Sequence, residues 1–443
     1  MQTSTVESEA NRLREKIEKD FAEARQRTLD LLEPLRQEDL YRQHNRLMSP
    51  IAWDVGHIGN FEELWGIRSL PNSGEVFPEL DEMYDAVKNP RSVRDKLPLP
   101  DREELRSYLT QIRRAVLERL RSVDFSSETH PLLQDGFVYQ MLLQHEYQHN
   151  ETILQTLQLK LGDPYVPTLP LRSLPEENPE VKGMVDIPSG DFFMGTDQVS
   201  GVYDNERKRH RVHLPSYRIG IAPVTNGEFL EFVDAGGYRN RELWSAEGWA
   251  FVTESEIDAP KYWFRNSDGG WMTRSMAIVG PLNLRRPVIH VCWHEAEAYC
   301  RFVGMRLPTE AEWERAAAWD ADREESLLFP WGNSPWSSER ANLDMLGMMT
   351  AEVGAYPSGV SPVGCHQMIG DVWEWVSSDF TSYPGFEAFP YDEYSKIFFG
   401  TDYKVLRGGS WATRPGAIRN TFRNWDYPIR RQIFSGFRVA SDT

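Results

Sequence analysis

Apolar residues recur at helical spacing through the first third of the chain and then give way to short, broken runs. Over residues 6–35, Leu13, Ile17, Phe21, Ala24, Thr28, Leu31, Leu32 and Leu35 fall on one stripe, which predicts an amphipathic helix. A second helix is expected from Ser49 to Ile67, with Ser49 as its N-cap and Pro50 at its first position. A third spans Asp101 to Arg121 and a fourth Gly136 to Leu161. Helices of this length and pattern read as a helical bundle. The connection between the second and third, residues 69–100, is too long to be a turn alone.

Residues 163–181, DPYVPTLPLRSLPEENPEV, hold five prolines and no period, the mark of a linker or strap. Beyond Gly183 the pattern is of short strands among Gly and Trp, with two helices expected. One runs from Glu295 to Val303 and stops at Gly304. The other opens at Thr309, where Glu312 completes a capping-box spacing. The organisation expected is therefore a bundle over 1–162, a linker over 163–182 and a second domain over 183–443.

Composition narrows the function classes. The chain has 443 residues with a formal charge of −18, which argues against nucleic acid or an anionic membrane surface as a partner. No apolar run reaches the ~18 residues of a membrane span. Three widely set cysteines do not form a disulfide framework, so a cytoplasmic setting is expected.

The sharpest chemistry lies in Gln144–Glu151, QHEYQHNE, on the fourth helix. His145 and His149 are one helical turn apart and can meet one ion. The HExxH spacing matches that of zinc peptidases, yet neither form of their third ligand follows at its required place. A better third ligand is His57, within the second helix; His44 precedes that helix and is weaker. Three neutral imidazoles leave coordination positions open and the ion's charge intact, which suits an anionic ligand such as a thiolate. By donor chemistry alone, zinc and non-haem iron fit equally.

SPIAWDVGHIGNFEELW and HEYQHNETILQTLQL together resemble the DinB-like bundle of the ergothioneine-synthesis sulfoxide synthases. The second half resembles the formylglycine-generating-enzyme fold, a C-type-lectin-like relative. The marks are GDFFMGTD, DNERKRHRVHL, PVTNGEF, RLPTEAEWERAA, FPWG, GDVWEW and LRGGSW, with RNWDYPIRRQIFSGFR near the end. The resemblance implies an α+β chain: a DinB-like four-helix bundle followed by a formylglycine-generating-enzyme-like domain. It implies Fe(II) held by His57, His145 and His149, and an O2-dependent joining of a thiol to hercynine, trimethylated histidine. Tyr391 would be the proton donor, by virtue of a phenol that is protonated at neutral pH. Gln148, Tyr394, Asn424 and Trp425 would bind hercynine, whose quaternary ammonium suits aromatic faces. Arg91, Arg94, Asp426 and Arg430 would bind the thiol substrate, with γ-glutamylcysteine favoured over cysteine or a selenium donor. Arginine suits carboxylates because its planar fork can bond both oxygens. Two other classes stay open at this point, a zinc-dependent thiol transferase and a non-catalytic lectin-like binding protein.

Overall fold

The structure, a computed structural model, describes residues 2–443 except 72, 73, 127–129, 177, 178 and 180, and the side chains from residue 9 onward. Three positions of the expected linker, Glu177, Asn178 and Glu180, lie outside the described residues. Contacts divide the chain into two units, residues 1–170 with 199–202, and residues 171–198 with 203–443.

The first unit is a helical bundle. Four long helices among its described residues are α1 (Gln2–Leu32), α2 (Ile51–Glu63), α3 (Arg102–Leu120) and α4 (Phe137–Gln158). Helix α4 packs on α1 and α2, and α3 packs on α2. The apolar stripe read from α1 is its buried face: Ile17, Phe21, Ala24 and Leu31 are all at most 1% exposed. Asp101 caps α3 through a full capping box with Glu104. One expected cap is absent. Ser49 does not cap α2; Pro50 holds that position without a side-chain cap, and Ser49 Oγ instead accepts from Arg94 Nη1 at 2.7 Å. The guanidinium outcompetes the helix end for this hydroxyl. The long connection after α2 carries short helical turns at Pro78–Leu80, Asp81–Tyr84 and Arg91–Lys96.

The second unit mixes helices with small sheets. Its four-stranded sheet has the order Asn424–Asp426, Lys404–Arg407, Trp373–Asp379, Ser435–Phe437, antiparallel except for the last pair. Four α-helices are present among the described residues, where the sequence suggested two. They are α5 (Asn226–Asp234), α6 (Ala246–Glu254), α7 (Trp293–Phe302) and α8 (Glu310–Ala318). Thr225 and Glu228 form the capping box of α5, and Ser245 caps α6. The expected box of Thr309 and Glu312 starts α8.

Charged residues from the family-like motifs hold this unit from inside. Arg407 reaches Glu310 at 2.7 Å and Glu314 at 2.6 Å, while Arg423 bonds Glu310 at 2.7 and 2.9 Å. Arg438 pairs with both oxygens of Glu374, which also accepts from the Trp313 indole at 2.8 Å. All three arginines are at most 1% exposed. Buried charges persist only when paired and hydrogen-bonded, and these are. No helix among the described residues is long and apolar enough to cross a membrane.

Candidate metal centre

Helices α2 and α4 bring His57, His145 and His149 together in the first unit. One nitrogen from each ring lies within 4.8 Å of the others, a spacing from which three imidazoles can meet one ion. Ring centroids are 5.2 Å apart for His57 with either partner and 4.5 Å for His145 with His149. Two of the rings are braced. His57 stacks on Trp53 at 4.9 Å and its Nδ1 lies 2.9 Å from the Tyr84 carbonyl oxygen. His145 stacks on Phe61 at 3.8 Å.

Burial holds all three imidazoles in the neutral, ligating form. It lowers His57 to about 4, and it drives His145 and His149 well below the usual histidine range, with neighbouring imidazoles adding to the effect. The donor set therefore fits a divalent ion without prior loss of a proton at neutral pH. His44 stands apart: its Nε2 meets the Asp39 carbonyl and its Nδ1 accepts from Leu161 N.

The glutamate of the HExxH spacing turns away from this cluster. Glu146 accepts from Arg25 Nε at 2.9 Å, Arg113 Nη2 at 2.7 Å and Thr28 Oγ1 at 2.8 Å. Glu62 completes the network, with Arg25 Nη2 at 2.7 Å. The guanidinium partners outweigh burial and hold the Glu146 carboxyl down to about 2. It is locked into a buried ion cluster and cannot act as the base of a peptidase.

Gln148 is half-buried on α4, between the two histidines of that helix. Arg91 and Arg94 lie on the helical turn Arg91–Lys96. Arg91 is exposed. Arg94 is 7% exposed, donates to Ser49 Oγ and to the carbonyls of Asn89 and Ala86, and lies 3.4 Å from the Trp53 ring centre. Asp54 stands beside the cluster. It is 2% exposed, with Oδ1 at 3.7 Å from His149 Nδ1. Burial raises its carboxyl to about 6 against the pull of Arg91 and Arg94. Its only sequence signal was a carboxylate placed three residues before His57.

The remaining candidates belong to the second unit, where several form an aromatic group. Tyr394 stacks on Tyr203 at 4.2 Å and meets Trp425 edge-on at 5.8 Å; Tyr391 lies 6.2 Å from Tyr394. Trp425 also stacks on Phe380 at 4.1 Å. Burial raises the Tyr391 phenol well above its ordinary value, so it holds its proton firmly. Asn424, Trp425 and Asp426 form the edge strand against Lys404–Leu406. Asp426 and Arg430 meet at 3.1 Å, four residues apart.

Comparison with known proteins agrees with both units. Residues 20–153 match the DinB superfamily, and residues 171–443 match the sulfatase-modifying factor enzyme 1-like domain. A hercynine oxygenase of Mycolicibacterium smegmatis is 45% identical over 97% of this chain and 99% of its own length. One from Mycolicibacterium thermoresistibile is 43% identical over 97% of this chain and 95% of its own. One from Mycobacterium tuberculosis is 42% identical over 95% of this chain and 97% of its own. With identity sustained end to end across both units, the chain belongs to the hercynine oxygenase family.

Proposed function

We propose that this protein is an Fe(II)- and O2-dependent sulfoxide synthase that joins a thiol to the imidazole ring of hercynine in ergothioneine biosynthesis. The observation that carries the reading is the trio of neutral histidines on α2 and α4, in a chain akin to hercynine oxygenases along nearly its whole length. The reaction balances without another reductant. The thiol S–H and the ring C–H are lost, a carbon–sulfur bond forms, one oxygen atom ends on sulfur and the other leaves as water.

His57, His145 and His149 would hold the iron, which when bound supplies open positions for thiolate, imidazole and oxygen and the redox capacity to join them. Gln148, Tyr394, Asn424 and Trp425 orient hercynine, the aromatic faces accepting its permanent cation. Arg91 and Arg430 bind carboxylates of the thiol substrate, Arg94 adds its charge, and Asp426 takes the amine. That supply of cationic groups favours γ-glutamylcysteine, which has one carboxylate more than cysteine. Tyr391 keeps a proton at its phenol oxygen for release to reduced oxygen. Cys292, Cys300 and Cys365 are buried and unpaired, which suits the reducing cytoplasm we assign to the protein.

The test is a competition. Fe(II)-loaded protein receives hercynine with equal γ-glutamylcysteine and cysteine in air, and products are resolved by mass. The coupled sulfoxide of γ-glutamylcysteine is expected to dominate. A cysteine product in excess would reverse the thiol assignment, and unreacted hercynine with zinc as the tightly held metal would favour a thiol transferase.

A further inference from the structure

Asp54 has no part in the chemistry described above, yet its carboxylate stands beside Nδ1 of His149 in the histidine cluster. It lies on α2 one turn before His57 and is 2% exposed. Among the described residues neither His149 Nδ1 nor Asp54 Oδ2 has a hydrogen-bond partner, although both atoms are buried. Burying a carboxylate with an oxygen unsatisfied costs free energy, so such a group persists where something else requires it. The outer nitrogen of His57 already meets a backbone carbonyl, that of Tyr84. For His149 the nearby acceptor is the Asp54 carboxylate, whose Oδ1 stands 3.7 Å from Nδ1 in ion-pair range. Metal-ligating imidazoles almost always give their second N–H to a carboxylate or carbonyl, which fixes tautomer and ring orientation. The same carboxylate is embedded in the arginine turn. Its charge is felt by Arg91 and Arg94, and Ser49, which accepts from Arg94, also bonds to it.

We propose that Asp54 is a positioning residue for the metal centre: it accepts the Nδ1 proton of His149, leaves Nε2 of that ring for the ion, and ties the ligand to the arginine turn. The role requires only a metal at the three histidines, whatever reaction that metal serves.

The test therefore uses metal alone. Metal-free full-length protein, Asp54→Asn and Asp54→Ala are titrated anaerobically with Co(II), followed by its visible absorption, and the melting temperature of each metal-free form is recorded. Asn keeps an oxygen acceptor but not the charge, so it should weaken binding about 10-fold; Ala keeps neither and should approach about 100-fold. The Co(II) bands should shift in both, as the His149 ring loses its fixed orientation. Affinities within twofold of wild type in both variants overturn the proposal. A measurement on the wild type stands independent of variant folding: 15N-histidine NMR of the Zn(II)-loaded protein. His149 with a protonated, strongly hydrogen-bonded Nδ1 is expected; His149 with Nδ1 on the metal overturns the assignment. Both readings precede substrate addition, so failure of the sulfoxide-synthase reading would leave them unaffected.

Discussion

Two neighbouring residues on α4, His145 and Glu146, have opposite fates because successive side chains on a helix point about 100° apart. His145 turns to the histidine cluster, and Glu146 turns to Arg25 and Arg113. Replacing Glu146 by Gln leaves two buried guanidinium groups sharing Glu62, and breaking a buried pair of this kind costs about 3–5 kcal/mol. Urea denaturation should show that loss; an unchanged midpoint would contradict the buried cluster. His57→Ala, which takes away one of the three proposed ligands, should weaken Co(II) binding beyond about 100-fold, more than any outer residue does. Tyr391→Phe removes the phenol proton and is expected to divert product from the coupled sulfoxide toward the sulfinate of the thiol. Unchanged product ratios by mass would remove Tyr391 from its proposed role. The histidines were legible in the sequence because two of them share a helical turn and the third falls within a strongly patterned helix. Their supports were not. The acceptor for His57 is the backbone oxygen of Tyr84, which no side chain announces, and Asp54 reads as an ordinary helix carboxylate until His149 is seen beside it.

Helix α2 is shaped by its glycines as much as by its histidine. A Cβ on Gly56 would fall 2.1 Å from the Tyr84 ring, and one on Gly59 would fall 2.6 Å from that of Tyr108. These two tyrosines, themselves stacked at 6.2 Å, can lie against α2 because both positions lack a side chain. Gly56→Ala would gain about 1 kcal/mol in helix propensity but meet an overpacking cost of about 1–3 kcal/mol. It would also displace Tyr84, whose carbonyl anchors His57. A lower melting temperature together with weaker Co(II) binding is expected; a more stable protein with wild-type affinity would contradict the close approach. The elements that escaped sequence reading, α5 and α6, span nine residues each. Helices so short owe their stability to packing rather than to propensity. The Thr225–Glu228 spacing was there to be read, as it was at Thr309 and Glu312, but the run behind it is too brief to display a full period. At Ser49 the error ran the other way, since a favourable capping residue was taken by a guanidinium from a distant turn.

At the scale of the whole molecule, charged residues within the quoted motifs form the framework of the second unit. Glu310, Glu314, Glu374, Arg407, Arg423 and Arg438 are buried and paired with one another. The carboxyl of Glu310 is pushed up by burial, but Arg423 and Arg407 more than offset this and hold it below its ordinary value. A carboxylate with a depressed folded-state value stabilises the fold above its unfolded value, near pH 4.5, and that contribution is lost as pH falls further. Stability measured by denaturant at a series of pH values should therefore decline below about pH 4.5, with a shallower decline in Glu310→Gln. An acid limb of equal slope in both proteins would contradict the pairing. The two-unit character of the chain was legible from its change of pattern, whereas this ionic framework was not, because partners up to 113 residues apart in sequence carry no local signal. The proposed joining of thiol to hercynine is read out by oxygen consumption. Fe(II)-loaded protein in an oxygen electrode should take up O2 only when hercynine and γ-glutamylcysteine are both present, one O2 for each coupled sulfoxide formed. No uptake with both substrates despite bound iron, or equal uptake with the thiol alone, would contradict it.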